Sequence, residues 1–118
     1  MKNDAINLNE KLSTFSDQWS PKIVSHFNDC DVMVVKAEGE FNWHSHEDTD
    51  DFFLVLKGTL RIELRDRNVI LQPGELFVVP KGIEHRPVAE QEVHLLLIEP
   101  KGIPNTGDDA TAAKKVSI

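Results

Sequence analysis

Residues Phe41 to Gly58 read FNWHSHEDTDDFFLVLKG. The stretch sets His44 and His46 one residue apart, follows them with four acids in the five residues from Glu47 to Asp51, and then turns apolar. In a strand, residues i and i+2 point to one face, roughly 7 Å apart at Cα. Two imidazoles at that separation can converge on one ion at about 2.0–2.2 Å each, while Trp43 and Ser45 point away. The same residues also suit a solvated turn rich in His and Asp. His-x-His alone leaves both readings open: a polar turn, or half of a metal site.

The flanking sequence sets the context. From Pro21 onward the hydrophobic period is two. KIVSHFN, DVMVVKAEG, DFFLVLKG, TLRIELRD, NVILQ, ELFVVP, EHRPVA and EVHLLLIEP form eight short strand-like runs, separated by Gly, Pro, Asn and Asp turns and by Ala89-Glu90. In TLRIELRD, Leu60, Ile62 and Leu64 face one way, and Thr59, Arg61, Glu63 and Arg65 the other. Many short strands at close spacing predict an all-β sandwich or barrel. FFLVL (52–56) and HLLLI (94–98) are apolar on both faces, so something must cover the face turned away from the core. An N-terminal helix can do so, or a second subunit, and a homodimer is the expectation. Leu8, Leu12 and Phe15 recur at helical spacing behind a possible Asn7 N-cap, which predicts a short helix over 7–15. The chain then divides into an N-terminal extension (1–20), a barrel (21–100) and an irregular, partly mobile C-terminal tail (101–118).

The chain has 118 residues, a single-domain length, and 40% of them are hydrophobic, enough for a modest core. A net charge of −7 argues against nucleic acid or an anionic membrane as partner. No apolar run approaches the length of a membrane span. Cys30 is the single cysteine, so no intrachain disulfide forms and a reducing, cytoplasmic setting is expected. Asp29 and Asp31 flank that thiol and disfavour its thiolate, which speaks against a nucleophile.

The two ends of this region also carry a resemblance. Gly39, four residues, His44-Ser45-His46, four residues, Asp51, six residues and Gly58 resemble the first cupin motif. Gly74, five residues, Pro80-Lys81-Gly82, two residues and His85 resemble the second. The resemblance implies a double-stranded β-helix, or jelly-roll, barrel. It also implies one divalent transition metal (Fe, Mn, Ni, Cu or Zn) held by His44, His46, Asp51 and His85. Three features depart from the pattern. The first spacer is one residue short, Ala89 stands where Asn is common, and Asp51 replaces the usual Glu with a side chain one methylene shorter. Between the adjacent acids, the spacing to Gly58 selects Asp51 over Asp50.

Three imidazoles and a carboxylate leave positions open on a metal for water or substrate. Two functions of different class follow. One is a metalloenzyme acting on a small oxygen-containing metabolite, of dioxygenase, isomerase or lyase type. The other is a non-catalytic metal-dependent module that binds or stores a small molecule. Glu38, Glu40, His94 and Arg86 are the candidates for an acid or base beside the metal, and Glu47, Asp48 and Asp50 are read as the solvated turn.

Overall fold

Strand dominates from Lys22 onward. The computed structural model describes residues 4–118, so residues 1–3 of the expected N-terminal extension lie outside the described residues. Seven strands run β1 (Lys22–Phe27), β2 (Cys30–Glu40), β3 (Asp51–Lys57), β4 (Leu60–Leu64), β5 (Asn68–Leu71), β6 (Leu76–Val79) and β7 (His85–Pro100), with a short β8 (Val116–Ser117) in the tail. Among the described residues the strand-to-strand pairings are antiparallel except that of β8 with β1.

β7 organises the molecule. Two separate runs were expected here, EHRPVA and EVHLLLIEP, with a turn at Ala89-Glu90; instead they form one strand of 16 residues. Its first half, His85 to Val88, pairs with β4, and its second half pairs with β3 from His94 to Leu96. β2 accompanies both halves on the other edge, with a bulge between Ala37 and Gly39 where the sheet bends. Ala89-Glu90 is therefore the crossing between two layers. The result is the expected all-β jelly roll, built on a sheet that does not close completely.

The core lies between the layers. Met33, Val35, Phe53, Val55, Leu60, Ile62, Val93 and Leu95 are buried in it, each at an alternate position of its strand. The alternation read in TLRIELRD holds, with Leu60, Ile62 and Leu64 inward. Gly58 closes the β3–β4 turn at φ +86, where a Cβ would stand 2.9 Å from the Glu92 carbonyl oxygen; only glycine fits there.

The outer face is covered in part. The helix α1 (Leu8–Leu12) is shorter than predicted, but Asn7 caps it as expected, its side chain accepting from the Glu10 N–H at 3.1 Å. α1 lies against β2, with Leu12 buried. Lys36 Nζ donates to the Phe15 carbonyl at 2.6 Å and holds the arm down. Beyond that cover, Phe52, Leu54, Leu96 and Ile98 are half-buried, while Leu76 and Val78 are exposed. The tail carries one short strand. Residues 101–115 are turns and coil, but Val116 and Ser117 pair with Lys22 and Ile23.

Candidate metal centre

His44, His46, Asp51 and His85 meet at one end of the barrel, and all four are buried. His85 opens β7 and Asp51 opens β3. The segment carrying His44 and His46 runs extended beside residues 82–87. His44 N–H donates to the His85 carbonyl at 3.1 Å, His85 N–H to the His44 carbonyl at 2.9 Å, and Gly82 N–H to the His46 carbonyl at 2.8 Å. This backbone ladder gives His-x-His its strand-like geometry outside any regular strand. The alternation works as read: both rings turn inward, while Trp43 turns out beneath the Arg65 guanidinium, 3.8 Å from its ring centroid.

One ligand atom from each of the four side chains can be chosen so that all lie within 4.8 Å of one another. Two donors bonded to one ion at about 2.0–2.2 Å stand at most about 4.4 Å apart, so small side-chain adjustments complete the set. The tautomers suit it. His44 Nδ1 and His85 Nδ1 each lie 2.9 Å from a backbone carbonyl two residues earlier, Asn42 and Ile83 respectively. If each Nδ1 carries the proton, each Nε2 presents a lone pair, that of His85 turned toward Asp51 Oδ2 at 2.9 Å. His46 Nε2 is 3.3 Å from Asp51 Oδ2 but has no hydrogen-bond partner in acceptable geometry, an orphaned buried nitrogen. Asp51 Oδ2 also takes His85 Nε2 at 2.9 Å. Unpartnered nitrogen beside a buried carboxylate is the donor chemistry a divalent transition metal requires.

The electrostatics agree for His44 and Asp51, while at His46 a metal has to displace a favoured proton. Burial pushes His44 down to about 4, so it stays neutral, as a ligand must. For His46, burial opposes protonation, but the Asp51 carboxylate outweighs it and the net shift is upward. Burial also opposes ionisation of Asp51, yet the His46 and His85 imidazoles beside its carboxylate hold it down at about 2. Asp50 behaves differently. It is exposed, and its Oδ1 accepts the Lys81 N–H at 2.9 Å, which ties the turn rather than the cluster. Glu47 and Asp48 are exposed as well.

Beside the cluster lies a cavity of about 40 Å³, lined by Trp19, Phe41, Phe53, Leu95 and Leu97, with His44, Asp51 and Glu99 as its ionisable members. Trp19 stacks on Phe41 at 4.8 Å between centroids and 24° between planes. The acid and base candidates read from the sequence do not line it. His94 sits on the outer face beside Glu92; Glu38 and Glu40 are exposed; Arg86 is bound to Glu63 at 2.7 Å. Glu99, which sequence reasoning missed, is on the wall. The signal was present in HLLLIEP, where alternation carries the inward set Leu95, Leu97 on to Glu99.

The chain belongs to the cupins. The Cupin domain family model matches residues 31–99. A cupin-2 domain containing protein from Shewanella frigidimarina NCIMB 400 superposes with a TM-score of 0.80 at 50% identity, covering 81% of this chain and 94% of that one. The uncharacterized protein YdbB of Bacillus subtilis (strain 168) is 35% identical over 83 residues, which span 70% of this chain and 67% of YdbB. A 3-hydroxyanthranilate 3,4-dioxygenase of Meyerozyma guilliermondii is 26% identical over 110 residues, 85% of this chain but 65% of that enzyme. No helix among the described residues is long and apolar enough to cross a membrane.

Proposed function

We propose that the protein is a metal-dependent cupin enzyme in which His44, His46, Asp51 and His85 hold one divalent transition metal, and that it acts on a small oxygen-containing metabolite bound in the adjoining cavity. The convergence of four buried ligand atoms within 4.8 Å, with His46 Nε2 unpartnered, carries this reading. Bound there, the metal would supply Lewis-acid or oxygen-activating chemistry. The protein's own contribution is to fix the imidazoles through the Asn42 and Ile83 carbonyls, to exclude water with Trp19, Phe41 and Phe53, and to restrict the ligand to a small, flat molecule. The likeness to a dioxygenase favours oxygen chemistry over isomerisation or elimination.

The alternative is a binding or storage module, which the small size of the cavity favours. The outer face of Phe52, Leu54, Leu76, Val78, Leu96 and Ile98 supports a homodimer, and the single cysteine fits the cytoplasm. The deciding experiment incubates metal-loaded protein with a small-metabolite extract, followed by mass spectrometry. Steady, protein-dependent consumption of one compound, absent with His85→Ala, supports the enzyme. Retention of one molecule per chain without consumption supports the storage module.

A further inference from the structure

The cavity is lined by two carboxylates, and the proposed ligand set uses only Asp51. The other, Glu99, is 3% exposed and ends the inward series of β7. In the β2–β7 register Asp31 stands directly across from it. On the other side, Asp51, which opens β3, lines the same cavity as Glu99. Three buried carboxylates thus gather at this end of the barrel. Each has its own partner: Asp51 has His46 and His85; Asp31 has His26 Nδ1 at 3.0 Å; and Glu99 Oε2 has Lys115 Nζ at 3.5 Å.

Glu99 is the least well served of the three. Its one ion pair is long, and among the described residues no group hydrogen-bonds Oε1. Like charges across a strand pair are destabilising, and a buried carboxylate without full hydrogen bonding is more so. A glutamine would fill the position at lower cost, so a purely structural role leaves this acid unexplained.

Resting on the metal-site reading above, we infer that Glu99 is the proton acceptor of the site, and that the ligand is a small, flat molecule with an acidic hydroxyl of enol, phenol or hydroxamic type. The ligand O–H bond breaks, its electron pair stays on oxygen, and the proton bonds to Glu99 Oε1. Glu99 becomes neutral and the ligand becomes an oxyanion facing the histidine cluster, with no other reactant consumed. The groups that face Glu99 set its affinity for that proton. These are Asp51 from β3, Asp31 from β2, His46 from the segment before β3, and Lys115 from the tail. What fits Glu99 to this role is its place: a buried carboxylate on the cavity wall, beside the proposed ligands and held by one long contact to Lys115. The apolar walls and the stacked Trp19–Phe41 pair select flatness, and the 40 Å³ cavity selects small size.

The test is a proton count. Protein loaded with zinc is titrated calorimetrically with acetohydroxamic acid near pH 8, in two buffers of different ionisation enthalpy. Zinc content is measured first. In the native protein Glu99 captures the hydroxyl proton, so almost none reaches the buffer. Glu99→Gln releases about one proton per site. Lys115→Met, which keeps the carboxyl but leaves it protonated from the start, moves in the same direction. Equal proton counts in all three proteins overturn the inference, and so does a zinc-loaded native protein that fails to bind acetohydroxamic acid. A native protein that takes up no zinc refutes the metal-site reading itself, and this inference falls with it.

Discussion

Replacing Glu99 with glutamine should stabilise the metal-free protein, but only at the alkaline end of the neutral range. The folded carboxyl titrates at about 7 against an ordinary value of 4.5. Between those limits the folded chain retains a proton that the unfolded chain has lost. Stability therefore falls as pH rises from 4.5 and levels off above 7. At about 1.4 kcal/mol per pH unit, the shift amounts to about 3 kcal/mol, a large part of the total for a domain of this size. His44 and His46 carry pH dependence of their own. Lowered in the fold, His44 withdraws stability as pH drops below its ordinary value. Raised, His46 gives stability that is lost as pH climbs through its folded value. Both residues are present in either protein, so the quantity to read is the difference between variant and native. Urea unfolding with a chelator present, at about pH 5 and pH 8, should give near-equal stabilities at the lower pH and a variant more stable by about 3 kcal/mol at the higher. A difference that does not change with pH would refute the reasoning, because it would mean that Lys115 fully compensates the buried charge.

Other predictions test the remaining elements. Asp51→Asn should weaken metal binding at least tenfold, Asp51→Glu should retain or raise it, and Asp50→Asn should leave it nearly unchanged; metal titration of the three variants decides, and equal losses for the two Asn variants would assign the effect to shared charge. Gly58→Ala should destabilise the fold by about 2–4 kcal/mol, since it combines a positive φ with a Cβ against the Glu92 carbonyl; an unchanged urea midpoint would show that the turn relaxes freely. Sedimentation should find a dimer that Leu54→Lys dissociates, whereas a native species of 13.3 kDa would mean that the N-terminal arm is cover enough.

Much of this architecture was legible because local patterns and the site coincide. The resemblance to the two cupin motifs implied His44, His46 and His85 and the choice of Asp51 over Asp50, and the structure brings those four side chains together. Alternation also gave the inward face of β4. The misreadings involve long-range pairing. Ala89-Glu90 looks like a turn, yet it is where β7 leaves β4 and joins β3, and a change of partner has no local signature. A two-residue strand such as β8 has no periodicity to detect; its hydrogen-bonding partner lies far away in β1. Glu99 stands outside the candidate set because HLLLI is apolar on both faces, so only the fold shows that Leu95, Leu97 and Glu99 are the inward series. The helix falls short of Phe15 because the arm beyond Thr14 is held by Lys36 rather than by helical hydrogen bonds.

The central claim is tested most directly by elemental analysis of untagged protein purified without added metal, compared with its His44→Ala, His46→Ala and His85→Ala variants. The account predicts close to one divalent transition metal ion per chain in the native protein. It predicts little or none in each variant, with the β-sheet circular dichroism unchanged, since the packed core folds without the ion. Metal retained in full by all three variants, or a native protein that stays metal-free even after incubation with excess metal, would contradict it.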